Sequence, residues 1–330
     1  MPVSNIAKIK ISTPARLHLG FIDLHGGVGR KFGSVGIALD TPRLELEIVP
    51  AQALNIQGAD NARIARLVEA FDKHYEVESR CDIHIKQTIP AHQGLGSGTQ
   101  TALAIGQGLA NLHGLKLTHH EIAHCLARGR RSGIGIYAFD HGGVLVDAGI
   151  KDDKLPTLIF HHRFPSAWRI LLITTKGQDG LHGVGERNAF ERLPQFSKSC
   201  AGALSRTVLM KLMPAVVERD FASFTQAVYK LQATMKDYFS SVQEQKISRF
   251  NSIKLLEYLD KQGIKGIGQT SWGPTVFAIT ENQAQAEALK ARLKDYMRCH
   301  GSETEFPVDA EKIDFLIVKG DNQGAVFASD

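Results

Sequence analysis

The feature that most constrains this chain is a glycine-rich segment that leads directly into a helix of small residues. Residues 89–106 read IPAHQGLGSGTQTALAIG, with glycines at positions 94, 96 and 98. Glycines at this spacing let the backbone turn tightly and approach a ligand without an intervening β-carbon. A helix beginning near Gly98 or Thr99 would present free amides and the positive end of its dipole, which favour phosphate. The segment therefore predicts a phosphate-binding loop, although a strand-to-helix turn without a ligand has the same pattern.

The loop differs from two common phosphate-binding motifs. No Gly-Lys-Ser or Gly-Lys-Thr follows the glycines, so it is not a Walker loop. The glycine spacing also differs from that of the dinucleotide-binding fingerprint.

Composition narrows the class of protein. The 330 residues suffice for two domains or one large domain, and 43% apolar with 22% charged residues is typical of a soluble protein. The start of the chain has no signal-like apolar region, no apolar run reaches membrane-spanning length, and the four cysteines are far apart. We therefore expect a cytoplasmic protein with reduced thiols and no membrane partner. A net charge of +5 suits small anionic substrates, and without long Lys/Arg runs we expect no nucleic-acid partner.

Strand and helix patterns occur in mixed rather than alternating order, which predicts the α+β class. A glycine-dense region lies at 20–36, a second glycine-rich loop is predicted at 266–274, and a crossing between two halves is predicted at 155–164. The predicted strands are 8–12, 44–49, 81–85, 142–147, 168–174 and 275–280. The predicted helices are 61–75, one from 98 or 99 to 114, 118–128, 200–213, 221–238, 247–262 and 282–297.

Three motifs resemble the signatures of the GHMP superfamily, which is named for galactokinase, homoserine kinase, mevalonate kinase and phosphomevalonate kinase. They are PARLHLG at 14–20, PAHQGLGSGTQTA at 90–102 and GIGQTSWGPT at 266–275, in the order and at the spacing of that superfamily. The resemblance covers nearly the whole chain. It implies a two-domain GHMP-kinase-like fold, residues 1–164 and 165–330, with the active-site cleft between the domains and both later loops facing it.

Two departures separate the chain from the kinases of that superfamily. Gly98 stands where the kinases have a polar residue that helps to hold magnesium. In the run Ser132-Gly133-Ile134-Gly135, a glycine stands where many of the kinases have the aspartate that acts as catalytic base. Without that base, a kinase would lose one to several orders of magnitude in rate.

One branch of the superfamily fits these departures, and the chain resembles it: the β-ribofuranosylaminobenzene 5'-phosphate synthases of methanopterin biosynthesis. The resemblance rests on residues 16–23, 94–100, 129–135 and 269–275, on Gly29-Arg30 and on Asp140-His141-Gly142-Gly143. It implies transfer of ribose 5-phosphate from phosphoribosyl pyrophosphate to 4-aminobenzoate or 4-hydroxybenzoate, with release of CO2 and pyrophosphate. It further implies Mg2+ as the cofactor and a homodimer.

The implied chemistry assigns candidate roles to residues in or beside the glycine-rich segments. Arginines bind phosphate and carboxylate in bidentate fashion, although a single arginine is more often a solvated surface charge. The candidate catalytic residues are Arg16, Asp23, Lys176 and His182. The candidate substrate-binding residues are His18, Arg30, Gly94, Leu95, Gly96, Ser97, Gly98, Thr99, Arg130, Arg131, Ser271 and Trp272. Candidate magnesium ligands are Ser97 and Thr99, with Asp23 in the first or second shell.

The polar, glycine-dense segment 176–186 is interpreted as an active-site flap that brings Lys176 and His182 to the substrate. The alternative for His182 is a loop histidine without a role. Trp272 is either an aromatic wall for the benzoate ring or a half-buried loop residue.

Two other functions stay open from the sequence. One is an ATP-dependent small-molecule kinase of the same fold, which would need a base that the sequence does not reveal. The other is a non-catalytic relative that only binds a ligand or a partner protein. The first predicts ATP turnover, and the second predicts no turnover with any substrate.

Overall fold

The computed structural model describes residues 7–152, 154–175, 188–240, 247–270, 273–300 and 312–329, with residues 247–252 and 299–300 described by their backbone alone. In chain order the elements are β1 (Ile9–Asp23), β2 (Phe32–Pro50), β3 (Asn55–Gln57), α1 (Asn61–Tyr75), β4 (Cys81–Gln87), α2 (Ser97–Leu112), α3 (His119–Cys125), α4 (Ile134–His141), β5 (Val144–Asp147), β6 (Leu158–His162), β7 (Arg169–Thr175), α5 (Lys198–Thr207), a π-helical turn (Val208–Leu212), α6 (Met213–Glu218), α7 (Phe221–Ser240), α8 (Ile247–Lys261), β8 (Ile267–Gln269), β9 (Val276–Thr280), α9 (Gln283–His300), β10 (Ile313–Val318) and β11 (Val326–Ser329). This mixture of helices and strands is the predicted α+β class.

The first sheet is built on the long hairpin of β1 and β2. In the described part of the chain it has seven strands, in the order β11-β1-β2-β4-β3, with β5 also on β2 and β6 beside β5. The sequence predicts only short strands at 8–12 and 44–49, on either side of the glycine-dense region 20–36. In the structure β1 and β2 extend into that region and leave only residues 24–31 between them. The pairing of β1 with β2 shifts register between His18 and Gly20, and Gly20 adopts a φ of 144°. The glycine therefore serves a bulge inside the strand rather than a loop.

The second sheet is antiparallel, in the order β10-β7-β9-β8. Helices α8 and α9 cover it, with Leu255, Leu259 and Leu293 in one apolar cluster with Leu171. Helix α7 contacts both β1 of the first sheet and β8 of the second. It therefore links the two sheets and bounds the space between them.

Strand β6 of the first sheet ends at His162, and strand β7 of the second sheet begins at Arg169. The end of the chain, however, returns to the first sheet, where β11 pairs with residues 9–12 of β1. Asp321, just before β11, forms an ion pair with Arg43 of β2 at 2.5 Å. The first sheet is thus completed by the last residues of the chain, which the sequence patterns do not predict.

The predicted helices agree with the structure where one face is apolar. Helix α1 has the predicted bounds and buries Ile64, Leu67 and Phe71. The capping box of Thr118 and Glu121 is present, but α3 ends at Cys125 instead of near residue 128. Helix α4 is missed entirely, because six of its eight residues are buried and it lacks the amphipathic period that a surface helix shows.

The helical run Lys198–Glu218 is long and apolar enough to cross a membrane by length and composition. Here it includes the π-helical turn, and it places Leu204, Val208 and Leu212 in the apolar core of the first sheet. A core helix passes the same test of length and composition, so the run alone is weak support for a membrane span. Among the described cysteine side chains, Cys81, Cys125 and Cys200 are free thiols.

Candidate active site

The glycine-rich loop presents open backbone donors at the start of α2. Gly96 is the N-cap residue with a φ of 83°, and the helix begins at Ser97. The carbonyl of Gly96 accepts hydrogen bonds from the amides of Thr99 and Gln100. The amides of Ser97 and Gly98 have no acceptor among the described residues. These two donors lie at the positive end of the helix dipole, where an anion is favoured.

The second glycine-rich loop holds the first in place. The hydroxyl of Thr270 donates to the carbonyl of Gly94 at 2.9 Å and accepts from the amide of His18 at 3.1 Å. The hydroxyl of Thr275 donates to the carbonyl of Gln93 at 2.7 Å. These three hydrogen bonds join the two loops to each other and to β1. The expected loop at 266–274 is in part strand β8.

Arg16 packs directly on the glycine-rich loop that precedes α2. Its amide donates to the carbonyl of Leu95 at 3.0 Å, and its Nη1 donates to that of Gly94 at 2.5 Å. A β-carbon on Gly96 would lie 2.7 Å from Cγ of Arg16, so only glycine leaves room for this side chain. Arg16 therefore supports the loop and brings a positive charge beside its open amides.

A cleft of about 400 Å³ extends from Arg16 along β1 to α7, α8 and β8. Its walls combine basic, acidic and aromatic side chains, which suits a ligand with both anionic and ring-shaped parts. The sequence singled out three of its residues, Arg16, His18 and Arg131. It missed most of the others, which include Phe21, Tyr229, Gln232, Lys236, Asp237, Phe239, Glu257, Asp260 and Gln269. The residues on α7 and α8 have no signal in the sequence beyond the helical period, while Phe21 and Gln269 lie on strands β1 and β8.

His18 faces the cleft as a neutral imidazole. It is 4% exposed, and burial first and the nearby Arg16 second lower its pKa from 6.5 to about 3. Its Nε2 is buried and has no hydrogen-bond partner among the described residues. The ring lies edge-on to Phe21, with 4.9 Å between ring centroids. A neutral imidazole with a free nitrogen can exchange one hydrogen bond with a ligand, but it cannot serve as a cation near neutral pH.

The arginines predicted to bind substrate lie in different settings. Arg131 lines the cleft, and its guanidinium stands 4.3 Å from the ring centroid of Phe190. Its neighbour Arg130 is exposed and does not line the cleft. Arg30 donates from Nη1 to the carbonyl of Gly149 at 3.2 Å and is also absent from the cleft walls. Arg16 and Arg131 are therefore the two predicted arginines that share the cleft.

A buried carboxylate that the sequence analysis overlooked organises the turn before α4. Asp147 accepts hydrogen bonds from the amides of Gly133 at 2.9 Å and Gly149 at 2.8 Å. Burial raises its pKa from 3.8 to about 6, although these hydrogen bonds act in the opposite direction. The signal was a single aspartate at the end of the apolar strand β5. Asp147 holds the turn that carries Arg131 and Ser132 into the cleft.

The position that corresponds to the kinase base adjoins the loop but carries no side chain. A β-carbon on Gly135 would lie 3.0 to 3.3 Å from the side chain of Thr99. The side-chain amide of Gln100 donates to the carbonyl of Gly135 at 2.7 Å. The carboxylates that do line the cleft come from α7 and α8, not from this turn.

Several predicted site residues lie away from the loop or outside the described residues. Asp23 accepts hydrogen bonds from the amides of His25 and Gly26 and closes a turn at the end of β1. At about 3.3 Å per residue, it lies roughly 20 Å along the strand from Arg16. Four further predictions fall outside the described residues: Lys176 and His182 with the flap 176–186, and Ser271 and Trp272.

The described residues do not form a resident magnesium site. Mg2+ is held in proteins mostly by carboxylates together with substrate phosphates. The hydroxyl-bearing residues Ser97 and Thr99 are at the loop, but the described residues contain no group of three His, Cys, Asp or Glu side chains that could hold a metal. The side chains that adjoin the loop glycines include arginines instead. We therefore derive no step through a protein-held metal.

Comparisons with known proteins agree with this architecture. The family descriptions "GHMP kinases N terminal domain" and "GHMP kinases C terminal" match residues 62–143 and 212–299. Beta-ribofuranosylphenol 5'-phosphate synthase of Methanothermobacter thermautotrophicus is 32% identical over 302 residues, which are 84% of this chain and 90% of that protein. The protein of the same name from Archaeoglobus fulgidus is 33% identical over 316 residues, covering 89% and 94%. The crystal structure of homoserine kinase from Cytophaga hutchinsonii matches with a TM-score of 0.62 over 99% of both chains, but at 15% identity this shows the fold alone.

Proposed function

This chain belongs to the beta-ribofuranosylphenol 5'-phosphate synthase family, and from that premise we propose that it catalyses a decarboxylating ribosyl transfer. The donor is phosphoribosyl pyrophosphate and the acceptor is a benzoate with an electron-donating para group. Because the relatives are named for a ribofuranosylphenol, 4-hydroxybenzoate is the proposed acceptor and 4-aminobenzoate is the alternative. The product is a β-ribofuranosyl arene 5'-phosphate of methanopterin biosynthesis.

The bond changes balance without an added oxidant or reductant. The bond from the anomeric carbon to pyrophosphate breaks, and pyrophosphate leaves with the electron pair. The ring carbon that bears the carboxylate then attacks the anomeric carbon and forms the new carbon–carbon bond. Loss of CO2 returns its electron pair to the ring and restores aromaticity. The protein has to bind the anions, align the two reactants and stabilise the charges that develop.

The described residues suit these three tasks. The open amide of Ser97, with Arg16 beside the loop, binds a phosphate group of the donor. Arg131 binds the acceptor carboxylate, and Phe21 offers an apolar edge for its ring. His18 supplies one hydrogen bond from its free nitrogen.

The carboxylates of Asp237 and Glu257 line the same cleft. Positive charge develops at the anomeric carbon as pyrophosphate leaves, and carboxylates held at that point would stabilise it. These two residues are therefore proposed to face the sugar rather than the phosphates.

The observation that carries the proposal is the setting of the glycine-rich loop. Arg16 and a neutral His18 adjoin it, while Gly135 offers no carboxylate beside Thr99. A kinase of this fold would need a group there to accept the proton of the attacking hydroxyl. Attack by an aromatic carbon needs no such base.

The test is release of labelled CO2. The full chain is incubated with magnesium, phosphoribosyl pyrophosphate and carboxyl-labelled 4-hydroxybenzoate or 4-aminobenzoate, without nucleotide. The proposal requires labelled gas in proportion to the pyrophosphate formed. Turnover of ATP in its place would support the kinase alternative, and the absence of turnover with every substrate would support a non-catalytic relative.

Neighbouring arginines supply a matched control for the assay. R131Q removes a guanidinium from the cleft, and one lost charge-assisted hydrogen bond lowers kcat/KM by about tenfold or more. R130Q makes the same change of charge at an exposed position and is expected to cost less than about twofold. Equal losses in both variants would instead support the broader assignment of Arg130 to substrate binding.

Three further expectations are part of the proposal. Magnesium enters with the pyrophosphate rather than as a resident ion, which omission of the metal from the CO2 assay tests. The protein is a homodimer, which light scattering tests against the chain mass of 36.2 kDa. It is cytoplasmic, in keeping with its free thiols.

A further inference from the structure

Two arginines from distant parts of the sequence meet at the start of α2, on a side of the loop that the cleft does not include. Arg63 lies in the first turn of α1, and Arg128 follows α3. A β-carbon on Gly98 would lie 2.5 Å from Nη2 of Arg63 and 3.7 Å from Nη1 of Arg128. Neither arginine lines the cleft that contains Arg16. Gly98 therefore leaves room for two guanidinium groups beside its own open amide.

The described residues balance the charges of this arginine pair only in part. Arg63 forms an ion pair with Asp60 at 3.3 Å, and the Asp60 side chain is 49% exposed. The guanidinium of Arg128 has no hydrogen bond or ion pair with any described residue, and its Nε is fully buried without a partner. Burial first and the charge of Arg63 second lower the pKa of Arg128. A buried donor and two adjacent like charges are costly unless an anion completes the arrangement.

The hydrogen-bond donors that converge here determine which anion would complete the site. Two planar guanidinium groups and the open amide of Gly98 all lie at the helix start. This set of donors matches the several oxygens of a phosphate group better than the two of a carboxylate. The ribosyl donor carries phosphate at two places, the 5'-phosphate and the pyrophosphate, and Arg16 serves the one on the cleft side.

We propose that Arg63, Arg128 and the Gly98 amide form a second phosphate subsite that binds one of the two phosphate-bearing ends of the ribosyl donor. This subsite adds a binding site to the proposed function, and the identity of the donor depends on that function being correct. Binding of the two ends on opposite sides of the loop fixes the orientation of the ribose between them. Its anomeric carbon is thereby presented to the acceptor in the cleft.

The test measures anion binding separately from catalysis. Isothermal titration of the full chain uses inorganic pyrophosphate in one series and ribose 5-phosphate in the other, at fixed ionic strength. The variants are R63Q and R128Q, and R66Q is the matched control. Arg66 lies on the same helix one turn later, is exposed and donates to the carbonyl of Ala62. R66Q changes the net charge equally, so any general electrostatic effect appears in it as well.

We expect R63Q and R128Q each to weaken binding of one of the two anions by about tenfold or more, the size expected for lost charge-assisted hydrogen bonds. The other anion changes less, and R66Q changes either by less than about twofold. The anion that responds identifies which end of the donor the subsite holds. G98A provides a further variant, because its β-carbon displaces Arg63; the same anion is then bound more weakly even if R128Q does not fold.

The subsite is disproved if R63Q and G98A bind both anions as the wild type does, if R66Q weakens binding equally, or if the wild type binds neither anion. Failure of the proposed function has a different signature. In that case no labelled CO2 forms, while the dependence of phosphate binding on Arg63 and Arg128 persists.

Discussion

The three loop glycines show how single missing β-carbons shape the candidate site. At Gly94 the neighbour is the backbone of the second loop, at Gly96 it is Arg16, and at Gly98 it is the Arg63–Arg128 pair. Each glycine thus admits a different group to the loop. A flexible side chain can move away from an added methyl group, whereas a backbone carbonyl cannot do so cheaply.

G94A tests the least tolerant of these contacts. Its β-carbon would lie 2.6 Å from the carbonyl oxygen of Thr270, at a φ of 77°. We expect a loss of about 2 to 4 kcal/mol in the free energy of unfolding, from strain and overpacking together. We also expect kcat/KM for labelled CO2 release to fall by at least about tenfold, because the loop moves.

G114A is the matched control for G94A in urea denaturation. Gly114 has a φ of 66° and nothing within 4 Å of an added β-carbon. G114A should therefore lose only the contribution of backbone strain, about 1 kcal/mol of the free energy of unfolding, and its kcat/KM should be unchanged. Equal losses in the two variants would contradict the role given to the contact with Thr270.

The buried imidazole of His18 predicts a specific dependence of stability on pH. Its folded pKa of about 3 is below the unfolded value of 6.5, so the unfolded state binds more protons between these values. Stability is therefore lost as pH falls below 6.5, and this one group accounts for about 2 kcal/mol between pH 7 and pH 5.

H18Q removes this contribution because glutamine does not titrate. Urea denaturation at pH 7 and pH 5 should show a fall for the variant that is smaller than the wild-type fall by about 2 kcal/mol. The same fall in both proteins would mean that the imidazole is accessible to protons in the folded state. H113Q is the control, because His113 follows the far end of α2 and its Nε2 already has a partner, the hydroxyl of Ser79 at 3.0 Å.

At the scale of elements, the start of α4 depends on a carboxylate from a neighbouring strand. Gly133 precedes the helix, and its amide is bound by Asp147 at the end of β5. Helix α4 also packs Gly135 against Thr99 of α2. Strand β5, helix α4 and helix α2 thus form one unit that places the turn at 131–132 in the cleft.

D147N tests this unit. Asparagine offers one acceptor oxygen in place of two, so one of the amides of Gly133 and Gly149 loses its partner. We expect a loss of about 1 to 3 kcal/mol in the free energy of unfolding and a lower kcat/KM. In the control D40N, the replaced carboxylate binds a single exposed amide, that of Lys319, and less than about 1 kcal/mol should be lost. Unchanged catalysis in D147N would show that the turn is held by other contacts.

At the scale of the whole molecule, the end of the chain ties the two sheets together. Strand β10 belongs to the second sheet, and β11 eight residues later pairs with β1 of the first. Between them the carboxylate of Asp321 accepts from Arg43 and from the amides of Gln323 and Gly324. This junction should couple the unfolding of the two halves.

D321A leaves the half-buried Arg43 without its carboxylate. We expect a loss of about 3 kcal/mol or more in the free energy of unfolding, because removing one partner of a buried pair leaves the other charge buried and uncompensated. The double variant R43M/D321A should lose less than D321A alone. In the wild type, far-UV circular dichroism and tryptophan fluorescence should report one coincident transition, and two separate transitions would contradict the coupling.

The sequence alone predicted whatever depends on neighbours within a few residues. The glycine loop that starts α2, the bounds of α1 and the capping box of α3 follow from backbone conformation and helical period, and the signature motifs identified the family. It did not predict that β1 and β2 extend into the glycine-dense region 20–36, because a glycine serves a bulge within a strand as well as it serves a loop.

Only the tertiary structure decided which distant side chains meet. Arg63 and Arg128 are 65 positions apart and converge on Gly98, and Asp147 reaches Gly133 from another element. The final strand returns to the first sheet from the far end of the chain. The physical reason is that these contacts are set by packing, whereas residue type and local period constrain only the backbone nearby.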